Sequence, residues 1–313
     1  MSTRSPIQEF EVGEAHDGAR IDWYLAQIYT EQSRSFFQKL VAAGHVARNG
    51  QPVAKNSERV ETGDMIRVAI PEAVSVSIEP EDIPLSVLYE DDDLLVVDKP
   101  KGMVVHPSPG HLTGTLVNAV LYHCRDSLSG INGELRPGIV HRIDKDTTGS
   151  LLVCKNDFAH ERIADQIREH TVKRLYRGIV CGVLKDDTGT IDAPVGRKPS
   201  DRKKMAVNGI NARPAVTHYR VLERFNRYTY VEFELETGRT HQIRVHMADV
   251  THHPLLGDEL YGGMKKEYAI KGLEGQTLHA MTLGFVHPAT EEYLEFSAPL
   301  PDYFEELLAR FRA

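Results

Sequence analysis

The N-terminal part of the chain carries apolar residues at helical spacing. Ile21, Leu25 and Ile28 recur after the breaker Gly18 and predict a helix over Arg20 to Tyr29. Ser33 is placed to cap a second helix, whose buried stripe is Phe36, Phe37, Leu40 and Val41 and whose end is Gly44. The period then shortens to two. Val46, an Asn49-Gly50 hairpin turn and Val53 predict a small hairpin, and Gly63-Asp64 turns the chain into a strand over Met65 to Ile70. Pro71 to Pro84 is rich in Glu, Pro and Ser and predicts an extended linker, although the alternation of Val74, Val76 and Ile78 leaves an edge strand open.

From Leu85 the pattern is dominated by strands. Leu85 to Tyr89 and Leu94 to Asp98 flank an acidic turn, and Asp98-Lys99-Pro100-Lys101-Gly102 closes a turn ahead of Met103 to His106. Thr115 to Tyr122 and Asp157 to His170 read as helices, the first capped by Thr113 or Thr115. Further strands are expected at Ser150–Cys154, 173–180, 216–222, 230–235, 278–287 and 293–297, with a closing helix over Pro301 to Arg312. The fold class this predicts is α+β: a small N-terminal domain over 1–72, a linker over 73–84, and a domain over 85–313 on a twisted, mostly antiparallel or mixed sheet.

Composition narrows the class. In 313 residues, 41% hydrophobic and 26% charged is the balance of an ordinary soluble globular protein. No apolar run approaches the roughly 18–20 residues of a membrane span, and Met1 to Phe10 is polar, so a cytoplasmic protein without membrane partners is expected. The three cysteines, Cys124, Cys154 and Cys181, lie far apart in apolar contexts and read as reduced, buried thiols. A net charge of −8 argues mildly against nucleic acid, but the charges are segregated. Acids crowd into Glu79 to Asp93, whereas Arg197, Lys198, Arg202, Lys203 and Lys204 stand together in a Gly- and Lys-rich stretch through Arg213. That stretch reads as a basic, RNA-facing loop or as a merely solvated one.

Two clusters hold the candidate chemistry. His141-Arg142-Ile143-Asp144-Lys145-Asp146 packs five polar groups into six residues directly before the Ser150–Cys154 strand, as an active-site loop on a rigid support would; a plain charged turn gives the same pattern. Arg142 and Lys145 flank Asp144 with positive charge. The second cluster is Thr237-Gly238-Arg239-Thr240-His241-Gln242-Ile243-Arg244-Val245-His246. Here Thr240 reads as an N-cap, and His241 and Arg244, three apart, share a helix face. His241 and His246, five apart, do not, which weakens a metal reading; neither a phosphate-binding glycine loop nor a metal-ligand spacing stands out, so no cofactor and no metal is expected.

His-Arg-Ile-Asp-Lys-Asp-Thr-Thr-Gly at 141–149 resembles the signature of the RluA-type pseudouridine synthases, and within them the RluD branch. Ile143, Thr148 and Cys154 stand where Leu, Ser and Ala are more usual. The resemblance continues through the block from Tyr89 to Pro107, Lys173 to Val180 (with Gly178 for Ala), Thr237 to His246, and Pro254 to Gly263. The N-terminal helix–helix–hairpin unit resembles an S4-type RNA-binding domain, in which Arg34, Lys39 and Arg48 would face phosphates.

The resemblance implies an isomerase that turns uridine into pseudouridine in large-subunit ribosomal RNA, most specifically in the stem-loop called helix 69. In that reading Asp144 is the catalytic carboxylate, Arg244 pairs with it, and Tyr176 stacks on the extruded uracil. Arg142 occupies the space vacated in the RNA stack or grips the flanking phosphate, with His141, Lys145, Arg239 and His241 in support. Whether Asp144 attacks the sugar or removes its proton stays open, and a monomer is expected. A non-catalytic S4-type RNA-binding protein, a synthase for a different ribosomal or transfer RNA uridine, and a metal-dependent hydrolase are the competing readings.

Overall fold

The computed structural model describes residues 7–29, 32–70, 78–107, 111–125, 127–131 and 137–313. The chain divides into two compact units, Met1–Val76 and Ser77–Ala313.

In the first unit, β1 (Ile7–Glu11) precedes α1 (Ile21–Ile28) and α2 (Arg34–Ala42), followed by β2 (Val46–Arg48), β3 (Gln51–Pro52) and β4 (Met65–Ala69). The strands form an antiparallel sheet in the order β1-β4-β2-β3. Both helices bury most of the stripes that their spacing predicts: Ile21 and Leu25, and Phe37, Leu40 and Val41, share one core with Val46, Ile66 and Val68, whereas Ile28 is exposed and Phe36 only half-buried. Ser33 caps α2, its hydroxyl accepting from the Phe36 N–H at 3.3 Å. β1 was not expected, because four of its five residues are exposed and it shows no buried alternation. Asp22 is fully buried. Burial alone would raise its pKa, but hydrogen bonds from Arg20, Gln38 and Arg34 outweigh that and hold the carboxyl well below its ordinary range.

The second unit begins with β5 (Ser86–Glu90), β6 (Leu94–Lys99), α3 (Leu116–Cys124), β7 (Thr148–Cys154), α4 (Asp157–Arg168) and β8 (Lys173–Cys181). It continues with β9 (Thr188–Asp192), β10 (Val195–Arg197), β11 (Met205–Val207), β12 (Ile210–Arg213), β13 (Val216–Arg224) and β14 (Tyr228–Leu235). The short α5 (Gln242–Val245), then β15 (Leu278–Val286), β16 (Tyr293–Ser297) and α6 (Asp302–Arg312) complete it. A nine-stranded sheet runs β5-β6-β7-β15-β8-β14-β13-β9, with β16 paired to β15. Every pair is antiparallel except β7 with β15. The α+β class with a largely antiparallel sheet is thus the architecture observed.

The centre of this sheet is covered on both faces, which is why β6 and β7 read as unbroken apolar runs. Leu95, Val97, Leu151 and Val153 pack with Leu116, Val117 and Val120 of α3. Leu94, Val96, Leu152 and Cys154 pack with Ala159 and Ile163 of α4. Thr115 caps α3 in a reciprocal capping box with Asn118. All three cysteines are buried and unpaired.

Two expectations change in form. Residues 78–84 run extended but are docked: Ile78 is buried in the core, the Asn118 amide donates to the Glu79 carbonyl at 2.8 Å, and Glu81 accepts from the Gly114 N–H at 3.0 Å. Val74 and Val76 of the possible edge strand lie outside the described residues. The basic stretch after Arg197 is not a structureless loop, because β10, β11 and β12 make a small three-stranded sheet of their own. Its strands are three or four residues long, too short to show a period in sequence.

Where β7 meets β15, Gly149 takes φ +107°, and a Cβ there would lie 2.3 Å from the Ala280 carbonyl oxygen. Conformation and space both demand glycine. Gly149→Ala is expected to lower unfolding free energy by about 3 kcal/mol in chemical denaturation; a loss below about 0.5 kcal/mol would contradict this account of the junction.

Candidate active site

Three distant segments converge on one cavity of about 440 Å³. Asp144 comes from the loop that leads into β7, Tyr176 from the middle of β8, and Arg244 from α5; all three line the cavity. The Arg244 guanidinium donates from Nη1 to Asp144 Oδ2 at 2.8 Å, closing a contact across 100 positions of sequence. Asp144 keeps 17% of its side chain exposed, enough for a bound substrate to reach it, while Arg244 keeps 7%.

Arg244 is itself held from behind. Its Nε and Nη2 donate to the two carboxylate oxygens of Asp258 at 2.7 and 3.0 Å, and Asp258 is fully buried. Burial alone would lower the guanidinium pKa, but the bonds and charge of Asp258 and Asp144 raise it above its ordinary value. Asp258 is fixed in turn by the N–H groups of Leu260 and Tyr261, both donating to Oδ1. The result is a rigid, charge-assisted array in which Arg244 cannot swing away from Asp144 without leaving a buried carboxylate unpaired.

α5 starts differently from the expectation. Thr240 does not cap it; His241 does, with left-handed backbone at φ 57° and ψ 21°. The Gln242 side chain replaces a hydroxyl cap by accepting from the Arg239 N–H at 2.9 Å and from the Thr237 hydroxyl at 2.8 Å. The His241 turn brings its Nε2 to 3.8 Å from Asp144 Oδ1, while its Nδ1 meets the Tyr261 hydroxyl at 2.9 Å. After four residues α5 passes into a π-helical turn, His246–Val250, a distortion common beside functional sites.

The loop bearing Asp144 is clamped from beneath by Lys99. Its side chain is fully buried, and its ammonium donates to the carbonyls of Pro100, Met103 and Lys145 at 2.9, 2.8 and 3.0 Å. Burial pushes this lysine down to about 8. Tyr176 is 8% exposed, and burial raises its phenol pKa. His141 also lines the cavity; its Nε2 accepts from the Leu152 N–H at 3.0 Å, and burial with the nearby Arg174 charge pushes it down to about 3, so it is neutral.

The remaining expected residues divide by location. Arg142 is exposed at the cavity mouth, and Arg239 lines the cavity with its Nε on the Pro214 carbonyl. Lys145 and Lys203 line an adjoining cavity of about 510 Å³ that shares Asp144 and Arg244. Arg197, Lys198 and Arg202 are exposed on the small sheet and its loop, and Lys204 is half-buried there. In the first unit Lys39 is exposed and Arg34 is exposed while paired to Asp22. Arg48 is tied inward, at 2.5 Å from Asp64 and 2.8 Å from the Arg59 carbonyl.

Asp258, Lys99 and Tyr261 were given no role by sequence reasoning. The one available hint was the acid pair Asp258-Glu259 following the apolar Leu255-Leu256-Gly257. Among the described residues one group, Asp91, Asp93 and His287, has metal-compatible spacing. However, His287 accepts at Nδ1 from the Ala289 and Thr290 N–H groups and so donates from Nε2 to Asp91, which satisfies it without an ion.

The family described as RNA pseudouridylate synthase matches residues 93–249, and the S4 domain matches 19–66. The chain belongs to the RNA pseudouridylate synthase family. It is 50% identical to the uncharacterised RNA pseudouridine synthase YlyB of Bacillus subtilis, over 97% of this chain and 98% of that protein. It is 44% identical to the ribosomal large subunit pseudouridine synthase D of Zymomonas mobilis, over 95% of each. Among solved structures, human RNA pseudouridylate synthase domain containing 4 is similar at TM-score 0.56 and 28% identity, covering 72% of this chain and 93% of that one. The synthase is therefore an isomerase, and its N-terminal unit carries an S4 domain.

Two expectations follow. Asp258→Asn leaves Arg244 with one full countercharge and loosens its aim, so single-turnover rates should fall by about 100-fold; an unchanged rate would show that Asp258 only fills space. His141 has a folded pKa of about 3 against about 6.5 when unfolded, so between those values only the unfolded chain takes up the proton. Stability should therefore drop as pH falls from 6.5 toward 3. The slope of unfolding free energy against pH should be shallower in His141→Gln; equal slopes would refute the buried neutral histidine.

Proposed function

We propose that this synthase converts uridine to pseudouridine in large-subunit ribosomal RNA, with helix 69 as its target stem-loop. In this reading Asp144 is the catalytic carboxylate. The observation that carries it is the Arg244–Asp144 pair at 2.8 Å in a 440 Å³ cavity that also presents Tyr176. Relatives named ribosomal large subunit pseudouridine synthase D, such as that of Zymomonas mobilis, support the ribosomal substrate.

The chemistry asks little beyond these groups. The bond between C1′ and N1 breaks, the base turns, and C5 rejoins C1′, with no net redox change. A base must leave the RNA stack to enter the cavity; Tyr176 offers it a ring to lie on, and Arg142, exposed at the mouth, fills the gap or grips the flanking phosphate. Asp144, held in place by the Arg244 guanidinium, either attacks C1′ or takes the C2′ proton. His241 and Arg239 complete the polar wall, and His141 and Lys145 support the loop.

RNA outside the cavity is held by charge. Arg197, Lys198, Arg202, Lys203 and Lys204 form one basic strip. Residues 1–72, with Lys39 and Arg34 exposed, supply a second contact through the S4 domain, joined by 73–84 to the catalytic domain over 85–313. The enzyme acts as a cytoplasmic monomer without metal or cofactor.

Asp144→Asn keeps the size and removes the charge. Ribosomal RNA from cells lacking this protein should miss pseudouridines that wild type restores and Asp144→Asn does not, while the variant binds RNA within about twofold of wild type; restoration by the variant would refute the assignment. Tyr176→Phe keeps the ring and should retain RNA binding while slowing turnover. Unchanged turnover would confine Tyr176 to stacking.

A further inference from the structure

The cavity contains a second buried guanidinium that the roles above leave unused. Arg174 is 6% exposed and lines the cavity together with Asp144 and Tyr176. Unlike Arg244, it has no carboxylate partner among the described residues. Among the described residues one bond anchors it, from Nη2 to the Glu236 carbonyl at 2.8 Å, and its buried Nε–H has no acceptor. A buried, unpaired donor on a full positive charge is costly, and proteins rarely keep one without use.

Its surroundings sharpen the point. Burial lowers the Arg174 pKa; the Tyr176 phenol works against that, and the nearby Arg239 charge adds to it. The ring of His141, within its field, is neutral. Space has also been left for it: a Cβ on Gly238 would lie 2.7 Å from Arg174 Nη1. Two cations thus face the cavity at the Arg174 wall, whereas the carboxylate is Asp144, and the Tyr176 phenol feels both Arg174 and Asp144. A pocket polarised in this way is built to receive negative charge beside Tyr176.

We propose that Arg174 is a further catalytic residue, which stabilises the departing uracil as an anion while Asp144 deals with the sugar. The inference rests on the functional reading above. In the step concerned, the C1′–N1 bond breaks with both electrons leaving on N1, and the charge spreads over O2 and O4 of the base. C1′ is satisfied either by a bond to Asp144 or by loss of the C2′ proton, which later returns. C5 then bonds to C1′ as that temporary link is undone, the C5 proton leaves, and N1 takes up a proton, so the product is an isomer of the substrate. Arg174, desolvated and already unpaired, interacts with the anion more strongly than with neutral uracil, as transition-state stabilisation requires.

The test uses leaving-group acidity. Fluorine at C5 makes the uracil anion intrinsically more stable, so 5-fluorouridine depends less on a cation from the protein. Full-length wild type, Arg174→Met and Arg174→Lys are compared in single-turnover cleavage of the C1′–N1 bond, on matched RNAs with uridine or 5-fluorouridine at the target. Arg174→Met is expected to slow the uridine RNA by about 100-fold or more and the fluorinated RNA by about tenfold or less. Arg174→Lys should recover part of the uridine rate, and both variants should bind RNA as wild type does. Equal slowing of the two RNAs, as a packing or folding defect would give, overturns the proposal. Weakened binding with a reduced salt slope also overturns it and assigns Arg174 to a phosphate. If wild type itself leaves both RNAs intact, the functional reading falls together with this one; if wild type is active and the two ratios match, this inference falls alone.

Discussion

One guanidinium bracketed by two carboxylates organises this molecule. Arg244 gives Nη1 to Asp144 and its other edge to Asp258, so the charge that faces Asp144 is oriented by a charge that no solvent reaches. Neither contact would be worth much at the surface, where screening and side-chain entropy leave an ion pair below about 1 kcal/mol. Buried, the same bonds are directional, and loss of any member strands a charge in a low-dielectric interior. The surrounding fold serves this geometry. β8 and β15 pair at the centre of the sheet, β7 begins where the Asp144 loop ends, and the His241 backbone turns sharply so that α5 can present Arg244.

Cations beneath the loop do related work. Lys99 gathers the carbonyls of Pro100, Met103 and Lys145 and so fixes the loop by backbone, leaving the Asp144 side chain free to meet a substrate. Tyr261 joins the small sheet to the site, because its hydroxyl accepts from the Met205 N–H at 2.8 Å and meets His241, while its ring lies 5.2 Å from the Arg244 guanidinium. The basic strip on that small sheet is thereby connected to the Asp144–Arg244–Asp258 array by hydrogen bonds.

How much of this could be read beforehand follows from where each signal resides. The helices α1, α2, α3, α4 and α6 and the central strands were legible, since burial on one stripe or on both faces leaves a strong period. β1 and the three-stranded sheet were not, because short or exposed strands carry no alternation. The meeting of Asp144, Tyr176 and Arg244 came from resemblance and not from spacing: a contact across 100 positions has no local pattern. The counter-charge at Asp258 and the unpaired Arg174 were missed for a related reason. Their roles depend on what surrounds them in space, and in sequence each is only one more charged residue. Arg48 shows the converse, since a basic residue in a basic stretch turned out to be committed to Asp64.

The central claim is that Asp258 acts on the chemistry only through Arg244. A double-mutant cycle of Arg244→Gln and Asp258→Asn, read as single-turnover pseudouridine formation, tests it most directly. The double variant should be no slower than Arg244→Gln alone, because removing the anchor of a guanidinium already lost changes nothing further. Rate losses that multiply would contradict the account and show that Asp258 serves the site independently of Arg244.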